Sequence, residues 1–150
     1  MRRARGFTLV ELMVTLVVIG LAGAAVALTL PTGDDMLRKD ADRFAARLGH
    51  ARDEAILGMR AVEVAVTARG YGFSRRRFEG WQPIDGRAFA AVDWTRGTRP
   101  QLARRDAPLA IRFDPTGAAT PAALVLLRDG ERVRVSVDGG GVVKVDGQHR

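Results

Sequence analysis

Glu11 is the residue whose type and place invite chemistry. It is the one charge between Phe7 and Leu30, and Leu12 to Leu30 is a run of 19 uncharged, mostly apolar residues. A carboxylate in an apolar span costs on the order of 2.5–3.5 kcal/mol near a membrane centre and less near an interface. Such an acid either finds a cationic partner or snorkels to the membrane surface, and the residues alone leave both readings open. The chain offers little else that is reactive. Its imidazoles are His50 and His149, and neither has a metal-ligand neighbour at helical spacing. Its serines are Ser74 and Ser136, and neither lies in a nucleophile-elbow context. Gly139-Gly140-Gly141 lacks the lysine, the hydroxyl residue and the helix that follow a phosphate loop. Asp34 and Asp35 lack the alternating spacing of a calcium loop and read as acids at a helix start. There is no cysteine, which removes disulfides and thiolate metal sites. The expectation is a chain that is not an enzyme, with no catalytic residue, no metal site and no cofactor.

The element that carries Glu11 is long enough to cross a bilayer core of about 30 Å at about 1.5 Å per residue. Only a helix satisfies its own backbone groups there. Arg2, Arg3 and Arg5 precede it, and positive flanks stay cytoplasmic, so the rest of the chain is expected on the far side. An ordinary secretory signal fits poorly: the acid interrupts the apolar region near its start, and no small-residue cleavage site follows. Pro31-Thr32-Gly33 breaks the run, and Thr32 with Asp35 has the spacing of a capping box. From Asp34 to Gly58, the apolar residues Leu37, Ala41, Phe44, Ala45, Leu48, Ala51, Ala55 and Ile56 recur at helical spacing. Arg38, Lys39, Asp42, Arg47, Arg52 and Asp53 fall on the other side, so this is an amphipathic helix with one face for a sheet. The two segments are expected to form one long kinked helix.

After Gly58 the period changes to two. Val62, Val64 and Val66 predict a half-buried strand, and Tyr71-Gly72-Phe73 a partner for it. Arg75-Arg76-Arg77 to Gly80 reads as an exposed loop, and Trp81-Gln82-Pro83 as the start of an irregular stretch holding a short strand between Phe89 and Trp94. Strands are expected over Leu109–Phe113, Ala123–Leu127, Val133–Val137 and Val142–Val145. The turn Asp114-Pro115-Thr116-Gly117 and the hairpin signal Asp129-Gly130 separate them. The fold class is therefore α+β: a long N-terminal helix packed on an antiparallel β-sheet domain. At 150 residues there is room for one such domain after the anchor.

Gly6-Phe7, followed by Thr8-Leu9-Val10-Glu11-Leu12-Met13-Val14, resembles the N-terminus of the type IV pilin and pseudopilin superfamily. The resemblance implies that a prepilin peptidase cuts after Gly6 and methylates the new amino group on Phe7. It implies that Glu11 pairs with the Phe7 amine of a neighbouring subunit during assembly. On this reading residues 1–6 are a leader, 7–30 the transmembrane and assembly helix, 31–58 its amphipathic continuation and 59–150 a periplasmic antiparallel β domain. A narrower resemblance runs through Ala51-Arg52-Asp53-Glu54-Ala55-Ile56, Gly70-Tyr71-Gly72-Phe73, Trp81-Gln82-Pro83, Phe113-Asp114-Pro115-Thr116-Gly117 and the closing glycine-valine strand. In that order they are similar to the H-type minor pseudopilins of the type II secretion system. The family implies a pilin-like fold and a structural subunit at the tip of a short pseudopilus that supports export across the outer membrane. Implied partners are the major pseudopilin, the other minor pseudopilins, the prepilin peptidase, the inner-membrane assembly platform, and membrane lipid before assembly. The implied place is the inner membrane, crossed once, with the C-terminal domain periplasmic. Minor type IV pilins of the FimT and FimU kind share the domain, so pilus priming or DNA uptake is the alternative. A membrane-tethered periplasmic enzyme or binding protein is a further rival. Major pseudopilins bind calcium in a C-terminal loop; Asp138 and Asp146 do not reproduce such a site, and none is carried over.

The formal charge is +7, and loss of the leader arginines leaves 21 basic side chains against 17 acids, a net +4. Arg75-Arg76-Arg77 and Arg104-Arg105 read first as solvated loop charge, second as a docking patch for an acidic partner subunit, and third as a DNA-binding strip. A modest mature charge argues against the last, so nucleic acid is not an expected partner. Trp81 and Trp94 read as core or interface anchors.

Overall fold

The computed structural model describes residues 8–29, 33–104 and 107–148. The chain divides into two compact units, Met1–Thr32 and Gly33–Arg150. In the first, helix α1 spans Leu9–Thr29. Its span Leu9–Val26 is long and apolar enough to cross a membrane, and its side chains are exposed along that length. Pro31 and Thr32, on which the expected break and capping box fall, lie outside the described residues.

The second unit opens with α2, Gly33–Leu57. Leu37, Ala41, Phe44, Leu48, Ala51 and Ala55 are buried, while Ile56 at the end of the same stripe is 39% exposed. Steps of three and four residues keep those six on one face. Met59 stops the helix in a left-handed conformation at φ 48°, and the Arg60 N–H donates back to the Ala55 carbonyl at 3.2 Å.

Among the described residues nine strands follow, all antiparallel: β1 (Val62–Val66), β2 (Gly70–Arg77), β3 (Gly80–Pro83), β4 (Val92–Asp93), β5 (Arg99–Gln101), β6 (Leu109–Phe113), β7 (Ala122–Arg128), β8 (Glu131–Val137) and β9 (Val143–Gln148). One sheet has the order β3-β2-β1-β6, with β4 also on β2; the other has the order β5-β7-β8-β9. Val64 faces Phe73 on one side and Ile111 on the other, so the apolar residues of three strands share a face. Leu124 and Leu126 pair with Val135 and Val133 in the second sheet. These faces and the buried stripe of α2 make one core. Burying such faces against one helix stabilises the unit by about 25 cal/mol per Å² of apolar surface removed from water.

The main departures from sequence expectation lie between Ser74 and Gln101. Arg75-Arg76-Arg77 is not a loop but the end of β2, and Trp81-Gln82-Pro83 is strand β3 paired back on it. The strand runs on because Arg75 turns inward to Glu54 at 3.4 Å, so a charge occupies the place where alternation calls for an apolar residue. The short strand expected between Phe89 and Trp94 is present as the two-residue β4, which follows a one-turn 3-10 helix, Arg87–Phe89. Strand β5 has no apolar period to announce it.

Asp129 and Gly130, at φ 49° and 90°, form the two-residue turn between β7 and β8. Gly141, at φ 75°, comes so close to the turn after β6 that a Cβ there would sit 2.1 Å from the Gly117 carbonyl oxygen. Gly141→Ala is therefore expected to lower stability by at least about 1–3 kcal/mol, the range for a strained backbone position, before any backbone overlap is added. Thermal unfolding of the full chain in detergent measures it; an unchanged midpoint would refute the close approach.

Candidate functional site

Glu11 sits in the first turn of α1. The Thr8 hydroxyl oxygen accepts the Glu11 N–H at 3.2 Å, and Thr8 precedes the first helical residue by one. Thr8 is thus the N-cap and Glu11 the third helical residue, the spacing of a capping box. An acid here also meets the positive end of the helix dipole. One turn on, the Thr15 hydroxyl donates to the Glu11 and Leu12 carbonyls, so its polar atom stays inside the helix's own hydrogen bonding. The Glu11 side chain is exposed, and its carboxylate makes no ion pair with any described residue. Gly6 and Phe7 lie outside the described residues. What α1 presents is an apolar rod with a capped end and one carboxylate that has no cation among the described residues.

The described residues of the second unit hold no lone acid in an apolar run like Glu11. Among the described residues no three His, Cys, Asp or Glu side chains gather as a metal site would need. His50 is exposed, Ser74 and Ser136 are half-buried on strands, and His149 lies outside the described residues. Asp138 is a turn residue: its Oδ1 accepts the N–H groups of Gly140 at 3.0 Å and Val142 at 2.9 Å. Asp114 does the same for its own turn, accepting the Thr116 hydroxyl at 2.6 Å and the Thr116 N–H at 2.8 Å. The Thr116 hydroxyl bond first, and the backbone bonds after it, hold the Asp114 carboxyl below its ordinary pKa. A lowered folded-state pKa gives stability that is whole above the unfolded value and is lost as pH falls through the folded one. Asp114→Ala should therefore flatten part of the acid limb of a stability-versus-pH curve below about pH 4. Parallel acid limbs for the two proteins would refute it.

Burial, not charge, governs the inner residues. Phe44, Tyr71 and Trp94 meet edge-on or tilted, with ring centroids 4.8 to 5.5 Å apart. Burial pushes the Tyr71 phenol above its ordinary pKa, against the pull of Arg47 and Arg43. Asp40, 4% exposed, accepts the Thr95 hydroxyl at 2.7 Å and the Thr95 N–H at 3.1 Å, tying α2 to the loop after Trp94. Arg52, from the face of α2 expected to be polar, donates to the Gly117 carbonyl at 3.1 Å. Trp94 is core, whereas Trp81 is half-buried with Arg76 and Arg112 over its ring at 5.7 and 5.5 Å. Arg104 is exposed, and Arg105 lies outside the described residues. Sequence reasoning missed Thr8 and Asp40. The signals were present: Thr8 stands three residues before Glu11, and Asp40 falls on the apolar stripe of Leu37, Ala41 and Phe44.

The profile of the family described as type II transport protein GspH matches residues 40–141. The chain belongs to the GspH family. A second profile, the prokaryotic N-terminal methylation motif, matches residues 1–27 and so covers Gly6, Phe7 and Glu11. Type II secretion system protein H of Aeromonas hydrophila is 35% identical over 92 residues, 57% of this chain and 50% of that protein. The protein of the same description from Pseudomonas aeruginosa is 35% identical over 101 residues, 63% of this chain and 57% of its own length. The chain thus matches these GspH relatives over about half their length. The minor pseudopilin EpsH from the type 2 secretion system of Vibrio cholerae superposes with a TM-score of 0.64 at 23% identity, over 75% of this chain and 98% of that one. The type IV minor pilin FimU of Pseudomonas aeruginosa gives 0.57 at 17% identity, over 73% and 87%. The α+β fold of this GspH member is therefore pilin-like.

Proposed function

We propose that this chain is a minor pseudopilin, a structural subunit of a type II secretion pseudopilus that supports protein export across the outer membrane. A prepilin peptidase removes residues 1–6 and methylates the amino group of Phe7. Residues 7–30 then anchor the chain once in the inner membrane, with residues 31–58 and 59–150 in the periplasm. An assembly platform extracts the chain from lipid into the filament, where it meets the major and the other minor pseudopilins. Its work is mechanical, not catalytic. The apolar side chains that faced lipid then face neighbouring rods in a head-to-tail arrangement that does not close. Glu11 finds its cation in the Phe7 ammonium of the next subunit.

One observation carries the reading: a methylation motif over residues 1–27 heads a GspH match over residues 40–141 in the same chain. It favours the secretion machine over the pilus, although the FimU-like fold serves both. Mass spectrometry of the protein from cells with an active processing peptidase tests it. The expected N-terminus is methylated Phe7. A chain that keeps Met1 in such cells would sink the proposal.

A further inference from the structure

The end of the second unit where α2 stops carries a surface that neither the core nor the proposed filament contacts of α1 account for. Strands β2 and β3 join through the two residues Phe78 and Glu79, since Arg77 pairs with Gly80. Two-residue hairpin loops favour glycine and asparagine, so turn geometry does not ask for a phenylalanine. Burial does not ask for one either, because Phe78 is fully exposed. At the stop of α2, Leu57 and Met59 are 82% and 79% exposed. Arg60, Arg76, Arg77, Phe78, Glu79 and Gln82 line one concavity of about 550 Å³. Arg60, Arg76 and Arg77 make no ion pair with any described residue, in contrast to Arg75 and Arg112. Three arginines with no ion pair among the described residues, one carboxylate (Glu79) and an exposed aromatic therefore share one cleft. Arg60, at its edge, follows the end of α2, whose 25 residues run for about 37 Å at about 1.5 Å per residue.

We propose that this cleft docks an acidic protein surface, with Phe78 as the apolar anchor and Arg60 and Arg77 pairing with the partner's carboxylates. Aromatic and arginine side chains are the residues that most often carry interface energy, and a charged rim adds orientation and on-rate. A protein fits better than a nucleic acid. Three cations interrupted by Glu79 make a short track for a polyanion, while Phe78 offers apolar area that a phosphate backbone does not use. A second copy of this chain fits poorly, because its own net charge is positive. The inference rests on the pseudopilin reading to the extent that the acidic partner is sought among sister subunits.

The test uses the full chain in detergent, with each pilin-like subunit of the same organism, duplex DNA and short-chain phosphatidylglycerol as separate probes. One acidic subunit is expected to bind wild type. Phe78→Ala should weaken that binding by at least about tenfold. Arg60→Glu with Arg77→Glu should abolish it, as should high salt, with the thermal midpoint of each variant unchanged. Equal binding of wild type and variants by every subunit would overturn the proposal. So would DNA or lipid binding that needs these residues while no subunit binds. N-terminal processing is read in the same samples. A chain trimmed at Phe7 whose cleft variants bind like wild type refutes the cleft alone, whereas an untrimmed chain refutes the pseudopilin reading.

Discussion

Glu11→Ala is expected to stay in the membrane and drop out of the filament. The substitution removes a charge from an apolar span, so insertion should become easier by roughly 2.5–3.5 kcal/mol if the acid lies deep. Filament formation moves the other way. On the proposed pairing, loss of the carboxylate leaves the Phe7 ammonium of the neighbour unpaired in an apolar layer. Breaking a buried pair from one side costs about 3–5 kcal/mol, or two to more than three powers of ten in an association constant. Sheared filaments should lose the chain by at least about a hundredfold, while the membrane pool grows. Glu11→Gln keeps the shape and loses the charge, so it should assemble nearly as poorly. Helix capping is the competing account of this acid, and it can be separated. The cap oxygen belongs to Thr8, which accepts the Glu11 N–H whatever the side chain at 11. Thr8→Ala should cost about 0.5–2 kcal/mol of local helix stability and leave assembly largely in place. If Glu11→Ala enters filaments like wild type, the carboxylate has no assembly role.

Residues differ in how openly they announce themselves. Glu11 stands out because one charge in an apolar run is rare and costly. Helix α2 and strands β1, β6, β7 and β8 are legible because their buried residues keep a strict period of three and four or of two. Strands β3 and β5 are not, and the reason is physical. They are four and three residues long, hold no fully buried side chain, and owe their strand form to the backbone of a longer neighbour. The inward turn of Arg75 is hidden for a related cause: its charge is met by Glu54, 21 residues earlier, across a contact only the folded chain makes. Asp40 escapes notice because a polar residue on an apolar stripe looks like an interruption until Thr95 arrives from a distant loop. Phe78 escapes because a lone phenylalanine in a sequence says nothing of whether it is covered.

Phe44→Ala should produce the largest loss of stability in the chain. Phe44 is fully buried midway along α2, edge-on to Tyr71 and Trp94. Those two rings come from the first sheet and from the loop that Asp40 holds through Thr95, so one side chain closes the space between helix, sheet and loop. Truncating a buried phenylalanine costs about 3–5 kcal/mol, because the neighbours cannot collapse fully into the hole. Against a total of about 5–15 kcal/mol that is a third or more of what the unit has. Urea unfolding followed through the fluorescence of Trp94, in a Trp81→Phe background, should show the midpoint fall. A loss below about 1 kcal/mol would mean the site repacks, and the cluster is looser than drawn. The two variants should also fail differently in cells. Gly33–Arg150 is a compact unit of its own, so Phe44→Ala should still be trimmed to Phe7 and inserted, then cleared by proteases as its domain opens. Glu11→Ala should persist as a folded, trimmed chain that never leaves the membrane. One variant separates folding from assembly at the core, the other at the rod. Finding both depleted at the same step would argue that the apolar helix and the β domain are not energetically distinct.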